Sequence, residues 1–245
     1  MSQEPAYPAR IYDRYRPSFP APLFRILAET APARKRALDC ATGTGKAARA
    51  LSLHFRSVIA LDRDIGMLRS GIKTSSVHLL NCRSERCALR KCSFDLIFAG
   101  QALHWFAHRD FYGEVRRLLS PDGIFAAACY QRPQISEDVD RIIAFFFNDI
   151  LEGYWHPAVK HLLNGYADLP FPFRSLAAPS FRIRASWNIA DLFGFLHTWS
   201  AVEAYKKDTG SDPLHLVAED LRAAWGDQNL IRNIQWPVCL LMGKQ

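Results

Sequence analysis

The fold of this 245-residue chain is decided by one stretch, Ala37-Leu-Asp-Cys-Ala-Thr-Gly-Thr-Gly-Lys46. A short apolar run ends in an acid and is followed by a glycine turn and a helix start, which predicts strand, turn and helix. Glycines let the backbone approach a ligand closely, and a helix start presents backbone N–H groups. The stretch therefore predicts a nucleotide-like ligand, held by those N–H groups and by one carboxylate.

Apolar runs that alternate with helical patterns extend from this stretch along the chain. The predicted strands are 37–40, 58–61, 77–80, 94–99, 124–129, 181–187 and 234–242. The predicted helices between and after them are 46–55, 65–72, 110–119, 136–151, 190–205 and 213–225. Alternation of this kind predicts an α/β fold: a Rossmann-like, mostly parallel seven-stranded sheet with helices on both faces. Ligands of such sheets bind at the carboxyl ends of the strands.

The pattern changes after residue 132, where an apolar helix and a stretch rich in proline and phenylalanine replace the alternation. We therefore predict one domain over 1–245, with an N-terminal arm and helix at 1–30. Residues 132–180 are predicted to be a helical cap insertion that contacts the substrate.

Composition limits the possible partners. The net charge is +7, but the basic residues are scattered and no basic stripe contains interleaved aromatic residues, so we do not expect a nucleic-acid partner. Charges interrupt every apolar run and no secretory signal is visible, so we expect a cytoplasmic protein without a membrane span. Cys82, Cys87 and Cys92 lack the close pairs typical of zinc sites, and we expect reduced thiols and no metal.

Two ligands fit the glycine turn taken alone. The pattern Gly43-x-Gly45-x-x-Ala48 is compatible with a dinucleotide fingerprint in which Asp62 binds the ribose. Asp39, however, would face the pyrophosphate of a dinucleotide with its negative charge, and it suits an ammonium group or hydroxyls better. Asp62 follows the second strand and is placed to accept two ribose hydroxyls, although an N-cap of the next helix is the alternative.

Several motifs in order resemble the class I S-adenosylmethionine-dependent methyltransferases. They are Asp39–Gly45, Val58–Asp62 with Met67-Leu68, Ser93–Ile97 and Leu118–Gly123. The ends of the chain, Tyr12–Pro17, Thr198–Val202, Gly210–Pro213 and Trp236-Pro237, resemble the trans-aconitate methyltransferase-like group (methyltransferase type 11). This resemblance implies a methyltransferase for small molecules, often carboxylates.

The resemblance also implies a set of residues that bind S-adenosylmethionine. Asp39 and the turn backbone would hold the methionine part, Asp62 the ribose, and Met67 the adenine. The full set is Arg16, Asp39, Ala41, Thr42, Gly43, Gly45, Asp62, Arg63, Met67, Ser84, Glu85, Ala99 and Gln101. Two positions depart from the family pattern: Ala41 replaces the first glycine of the turn, and Arg83 replaces the acid that receives the adenine amino group.

The segment Gln101–Phe106 follows the fourth predicted strand, where the transferred methyl group would point. His104 is a candidate general base and Trp105 a candidate pocket wall, although both also suit a structural role. Methyl transfer to a carboxylate needs alignment and desolvation rather than a base. The candidate substrate-binding residues are Tyr12, Tyr15, Trp155, Trp199 and Tyr205, for which an ordinary aromatic core is the alternative.

The sequence thus predicts a methyltransferase acting on an oxygen, a carboxylate or a hydroxyl, of a small metabolite, as a monomer or homodimer. Three alternatives stay open: an RNA methyltransferase that uses the basic surface, a non-catalytic cofactor-binding protein, and a non-methylating enzyme on the same fold. The missing Asn/Asp-Pro-Pro-Tyr motif after the fourth strand argues against methylation of an exocyclic amine of a nucleobase.

Overall fold

The computed structural model describes residues 9–71 and 74–245. They form two compact units. The sheet unit comprises Ser18–Gln131, Lys160–Arg182 and Val238–Gln245, and the helical unit comprises residues 9–17, Arg132–Val159 and Ile183–Pro237. Residues 132–180, predicted as one insertion, are therefore divided between the two units. The single-domain organisation and the role of a cap remain predictions.

Eight strands and ten α-helices make up the regular structure of the described residues. The strands are β1 Arg36–Cys40, β2 Ser57–Asp62, β3 Val77–Asn81, β4 Phe94–Gly100, β5 Leu119–Tyr130, β6 Arg174–Ser175, β7 Phe181–Trp187 and β8 Arg232–Lys244. The helices are α1 Ala9–Tyr15, α2 Ala21–Thr30, α3 Lys46–Leu51, α4 Ile65–Ser70, α5 Arg109–Leu118, α6 Glu137–Phe145, α7 Lys160–Leu163, α8 Ile189–His197, α9 Ser200–Thr209 and α10 Ala218–Trp225.

The sheet has the order β3-β2-β1-β4-β5-β8-β6, with β7 paired to β8. The first five strands of this order are parallel, whereas β8 is antiparallel to β5 and β6 is antiparallel to β8. The predicted Rossmann-like α/β class is confirmed. The sheet has eight strands rather than seven because the two-residue β6 pairs with the end of β8.

The central strands of the sheet are buried on both faces. Every side chain of β4 from Phe94 to Ala99 is buried, and so is β5 from Ile124 to Tyr130. Burial of both faces explains why these strands are continuously apolar rather than alternating. The parallel strands β1, β2 and β4 end at the same edge of the sheet, which brings the turn after β1 and the loop after β4 close together.

Several predicted helices are shorter or interrupted. Helix α3 ends at Leu51, and α4 ends at Ser70, while Ile72 lies outside the described residues. The predicted helix 190–205 is two helices, because Trp199 adopts an extended conformation and is buried. A π-helical turn at Phe146–Ile150 follows α6, and a 3₁₀ turn at Pro213–Leu216 precedes α10. No helix among residues 9–71 and 74–245 is long and apolar enough to cross a bilayer.

Asp212 holds together the end of α8, the middle of α9 and the turn before α10. His197 Nε2 and Lys206 Nζ each lie 2.9 Å from its Oδ2, and the Leu214 N–H donates to its Oδ1 over 3.1 Å. Burial raises the pKa of this carboxyl, but the hydrogen bonds from Lys206, His197 and Leu214 outweigh it and lower the pKa to about 2. The ionised form therefore stabilises the folded helical unit.

We expect Asp212→Asn to lower the free energy of unfolding by about 1–2 kcal/mol at neutral pH. Since the folded-state pKa of about 2 is below the ordinary value of 3.8, this stabilisation is complete above about pH 4 and is lost as the pH falls through about 2. Urea denaturation from pH 5 to pH 2 should show the difference between wild type and variant shrinking. The matched variant Asp138→Asn, at an exposed ion pair with Arg141, should change stability by less than about 0.5 kcal/mol. If the difference in the free energy of unfolding between wild type and Asp212→Asn stays constant over this range, the lowered pKa of Asp212 is contradicted.

Candidate functional site

The turn between β1 and α3 has a fixed, left-handed backbone. Ala41, Gly43 and Gly45 all have positive φ angles, of 53°, 57° and 79°. The Thr42 N–H donates to Leu61 O over 2.9 Å, which ties the turn to the end of β2. Ala41 thus occupies a conformation that glycine adopts without cost, which accounts for the glycine usual at this position in the resembling family.

Asp39 lies at the end of β1 beneath this turn and is only 1% exposed. Its carboxylate accepts the Thr42 hydroxyl hydrogen over 2.5 Å and is also hydrogen-bonded by the Ala48 N–H. Burial raises the pKa of Asp39 to about 7, although these two hydrogen bonds lower it, and the nearby Asp62 carboxylate raises it further. A positive charge bound at the turn would stabilise the ionised form of Asp39.

Asp62 ends β2 on the other side of the turn and is largely buried. Its Oδ2 accepts the Gly43 N–H over 2.8 Å, and its Oδ1 accepts the Asp64 N–H over 2.9 Å. Burial is the main reason that the pKa of Asp62 is raised. The N-cap of α4 is Asp64, whose Oδ1 accepts the N–H groups of Gly66 and Met67. The helix-cap interpretation therefore belongs to Asp64, and the Asp62 carboxylate keeps acceptor capacity for ligand hydroxyls.

Met67 completes this side of the turn. A Cβ atom on Gly43 would lie 3.4 Å from Met67 Cε, so the thioether lies directly against the glycine. Arg63 is exposed, and its carbonyl accepts the Asn81 side-chain amide over 3.0 Å. Two buried carboxylates and an apolar thioether therefore lie at the same glycine turn. Carboxylate acceptors beside an apolar thioether fit a cationic ligand with vicinal hydroxyls and an apolar ring, which is the chemistry of S-adenosylmethionine.

The residues predicted beside the adenine follow β3. Ser84 is buried, and Glu85 Oε1 lies 3.4 Å from Arg83 and 3.7 Å from His108 Nε2. The Arg83 side chain is 71% exposed. Arg83, which departs from the family pattern, thus faces solvent and pairs with Glu85.

Two of the three regularly spaced cysteines belong to a hydrogen-bonded group. Cys82 hydrogen-bonds Cys87, and the Cys87 S–H donates to Glu114 Oε1 over 3.2 Å. Burial is the main reason that the pKa of Cys87 is raised, to about 12. Within the described part of the chain, no cluster of His, Cys, Asp and Glu suits a metal ion.

The residues predicted to lie beneath the sulfonium, Ala99 and Gln101, lie at the carboxyl end of β4. Ala99 is completely buried in the sheet, opposite Ala127. Gln101 has a positive φ of 56°, and its side-chain amide accepts the Tyr130 N–H over 2.9 Å and donates to Tyr130 O over 3.2 Å. Gln101 therefore fastens the loop after β4 to the end of β5.

His104 lies in the single turn Leu103–Trp105 that follows this loop and is 8% exposed. Its Nδ1 lies 3.4 Å from the hydroxyl of Tyr166, and its ring lies against Trp105, which is partly exposed. Tyr166 is buried, and its oxygen accepts the N–H groups of Ala102 and Leu103. Burial raises the pKa of the Tyr166 hydroxyl. Sequence reasoning missed Tyr166, which lies 62 residues from His104 and matches no motif.

In the helical unit, the N-terminal arm packs against α8. Arg16 donates to Thr198 O over 2.8 Å, and its guanidinium lies over the rings of Tyr12 and Phe195. A Cβ atom on Gly194 would lie only 2.4 Å from Tyr15 Cε1, so glycine is required for this contact. Arg16, predicted to pair with the cofactor carboxylate, thus binds the C-terminus of α8.

Trp155 and Trp199, two of the candidate substrate-binding residues, pack against each other in the helical unit. Their ring centroids lie 5.4 Å apart, and Phe147 stacks on Trp155 at 4.3 Å. Arg132, which the sequence analysis did not select, lies over Phe147 with its guanidinium carbon 5.4 Å from the centroid. We call these four residues the arginine–aromatic cluster. Tyr205 is separate from these contacts and packs on Tyr154 at 4.9 Å.

The guanidinium of Arg132 has one distinctive property. Its NH1 is solvent-excluded and has no hydrogen-bond partner among the residues that the structure describes. An unsatisfied buried donor costs about 1–3 kcal/mol and more on a charged group. The structure therefore presents a cationic donor, within an aromatic setting, that is suited to an anionic oxygen.

Comparison with known proteins agrees with this geometry. Residues 38–127 match the family described as Methyltransferase domain. A solved structure of a protein assigned as a type II methyltransferase from Anaeromyxobacter dehalogenans is 37% identical, with a TM-score of 0.86 over 94% of this chain and 98% of that one. A Dictyostelium discoideum protein assigned as a methyltransferase is 28% identical over 97% of this chain and 93% of its own length. A Saccharomyces cerevisiae protein assigned as an S-adenosylmethionine-dependent methyltransferase, CRG1, is 24% identical over 82% of each chain.

The chain therefore belongs to the class I S-adenosylmethionine-dependent methyltransferases, and its cofactor is S-adenosylmethionine. The predictions of family, enzyme class and cofactor are confirmed, and the dinucleotide alternative is not supported. The narrower trans-aconitate methyltransferase-like group and the contacts of individual site residues stay predictions.

Proposed function

We propose that this methyltransferase transfers a methyl group to a carboxylate oxygen of a small molecule with an apolar or aromatic body. The observation that carries the proposal is the buried, unpartnered NH1 of Arg132 in the arginine–aromatic cluster. A carboxylate is the group that a guanidinium binds best, through short, charge-assisted hydrogen bonds. Chain order supports the assignment, because Arg132 follows the end of β5 by two residues.

The sheet unit supplies the cofactor-binding residues. When bound, S-adenosylmethionine supplies an electrophilic methyl group on a sulfonium. Asp62 would accept the ribose hydroxyls, and Met67 would pack against the adenine side. The Asp39 carboxylate would remain ionised beside the positive charge and hold Thr42 and the turn in place.

Methyl transfer to a carboxylate needs no general base, because the substrate carries no proton that must be removed. His104, the candidate base, is therefore not required in that role. A carboxylate is ionised at neutral pH and is already a nucleophile. The chain must therefore orient it and exclude water, which are the contributions expected of Arg132 and the surrounding rings. The His104 Nδ1 faces the Tyr166 hydroxyl within the sheet unit. The product is a neutral ester, which loses the charge-assisted bond to Arg132 and is released more readily.

The experiment is a labelled-methyl assay on matched pairs of small molecules. Aromatic and apolar carboxylic acids are compared with their primary amides, which have nearly the same shape but no charge. We expect label in the acids and at least 100-fold less in the amides. Equal labelling of acid and amide would contradict the role of a carboxylate. Label in added RNA instead would favour the RNA alternative, and no transfer to any acceptor, including a metabolite extract, would favour a non-catalytic protein.

A further inference from the structure

Cys129 on β5 and Cys239 on β8 lie directly opposite each other in the sheet unit. They are register partners in an antiparallel pair, so their side chains project from the same face. Opposed residues in such a pair have Cα atoms about 4.5–5.5 Å apart. A disulfide requires Cα atoms about 4.4–6.8 Å apart. The backbone therefore already has the spacing of a cross-strand disulfide.

The two thiols differ in exposure and in charge. Cys129 is completely buried, whereas Cys239 is half-buried, and both are free thiols in the structure. The Cys129 S–H donates to Cys239, and this hydrogen bond lowers the pKa of Cys239 to about 7, although burial opposes the shift. The thiolate is the nucleophilic form of a cysteine and reacts first with an oxidant. Cys239 is therefore the reactive member of the pair, and Cys129 is placed to resolve the product.

We propose that Cys129 and Cys239 form an oxidation site at which hydrogen peroxide generates a cross-strand disulfide. The Cys239 sulfur attacks the peroxide and breaks its O–O bond, which gives a sulfenic acid and a hydroxide that is protonated to water. The Cys129 sulfur then attacks the sulfenic sulfur and forms the S–S bond, while its proton passes to the departing hydroxide, which leaves as a second water. Each cysteine sulfur loses one electron, and the peroxide is reduced to two molecules of water.

The oxidation site is linked to His104 through two consecutive residues, Gly165 and Tyr166. A Cβ atom on Gly165 would lie 2.4 Å from Cys239 Sγ, so this sulfur fills the space against the glycine. The hydroxyl of the next residue, Tyr166, lies 3.4 Å from His104 Nδ1. Tyr166 also has a positive φ, of 66°. A disulfide draws the Cys239 sulfur towards Cys129 and changes the packing under Gly165. Oxidation is therefore expected to alter the surroundings of His104.

The chemical step is tested on the full-length wild-type protein with hydrogen peroxide. After remaining thiols are blocked under denaturing conditions, digestion without reductant should give a linked Cys129–Cys239 peptide that has lost two hydrogen atoms. Dithiothreitol should reverse the link, and Cys239→Ala should prevent it. The matched variant Cys92→Ala, at an exposed cysteine, should leave the yield unchanged. The proposal is overturned if the thiol-blocking reagent still labels Cys129 and Cys239 completely under conditions in which peroxide has oxidised the exposed Cys92.

The connection to His104 is tested by NMR of the imidazole resonances. The His104 resonance, assigned with His104→Gln, should shift on oxidation of the wild type and not in Cys239→Ala treated alike. The exposed His78 serves as an internal control that should not shift. A His104 resonance that is unchanged in fully disulfide-linked protein would refute the connection. Neither readout requires methyl transfer, so both stand apart from the proposed substrate.

Discussion

Replacement of Asp62 by asparagine is expected to weaken the binding of S-adenosylhomocysteine by about 10- to 100-fold. Hydrogen bonds to a charged group contribute about 1.5–3 kcal/mol, and each 1.4 kcal/mol is a factor of ten in affinity. The amide keeps one carbonyl oxygen, which can still accept the Gly43 N–H over the 2.8 Å contact. The variant therefore removes the charge and the oxygen that accepts the Asp64 N–H, while the hydrogen bond to the Gly43 turn is kept. Isothermal titration calorimetry measures the effect directly.

Asp64→Asn is the matched control for this measurement. It changes the charge by the same amount two residues away, but its carboxylate caps α4 through Gly66 and Met67. We expect less than about a threefold change in affinity from this variant, since amides also cap helices. Equal losses from both variants, or no loss from Asp62→Asn in a protein of unchanged thermal stability, would show that Asp62 does not bind the ribose.

The second large effect is expected from Arg132→Met. Methionine keeps an unbranched apolar stem against Phe147 and removes the guanidinium. Loss of the charge-assisted hydrogen bonds to a carboxylate should lower kcat/KM for the carboxylic acid by about 100-fold or more. Binding of S-adenosylhomocysteine should be unchanged, because Asp39, Asp62 and the glycine turn belong to the sheet unit.

Arg141→Met is the control, since Arg141 is an exposed arginine of the same unit whose contacts are surface ion pairs with Glu137 and Asp138. This variant should leave kcat/KM within about twofold. If Arg132→Met methylates the acid as well as the wild type does, Arg132 is not the carboxylate-binding residue. If it loses cofactor binding to the same extent as activity, its effect is structural.

The parts of the fold that follow from local sequence were predictable. Strand, turn and helix around the glycine motif depend on residues within about ten positions of one another, and burial of both sheet faces produces the apolar runs of β4 and β5. Asp62 was identified because the parallel pairing of β1 and β2 brings both strand ends to one edge. The helix cap was left as an alternative for Asp62, because Asp62 and Asp64 are only two residues apart and only the hydrogen bonds from Gly66 and Met67 show that Asp64 is the cap.

Long-range contacts could not be predicted from the same reasoning. Tyr166 reaches His104 across 62 residues, and no motif marks either residue as a partner of the other. Cys129 and Cys239 meet because β8 runs antiparallel to β5 in one particular register, and a slip of one residue would separate them. Arg132 lacks a signal of its own, since only the burial of its NH1 distinguishes it from the other scattered arginines.

Helix boundaries in the helical unit show how tertiary packing overrides local pattern. The apolar spacing between 190 and 205 continues through Trp199, yet the chain breaks there and two helices result. Trp199 is buried against Phe146, Phe147 and Trp155, and Thr198 O accepts a hydrogen bond from Arg16. These contacts form only after distant segments pack together, so the spacing of apolar residues alone predicted a single helix.

The most direct test of carboxylate methylation is the stability of the transferred methyl group in mild alkali. The enzyme is incubated with methyl-labelled S-adenosylmethionine and an accepted acid or a small-molecule metabolite extract, and the product is then treated with alkali. A methyl ester hydrolyses and releases the label as volatile methanol, whereas methyl ethers and N-methyl groups keep it. We expect most of the label to appear as methanol, with far less from Arg132→Met. Label that remains on the product after alkali would contradict transfer to a carboxylate.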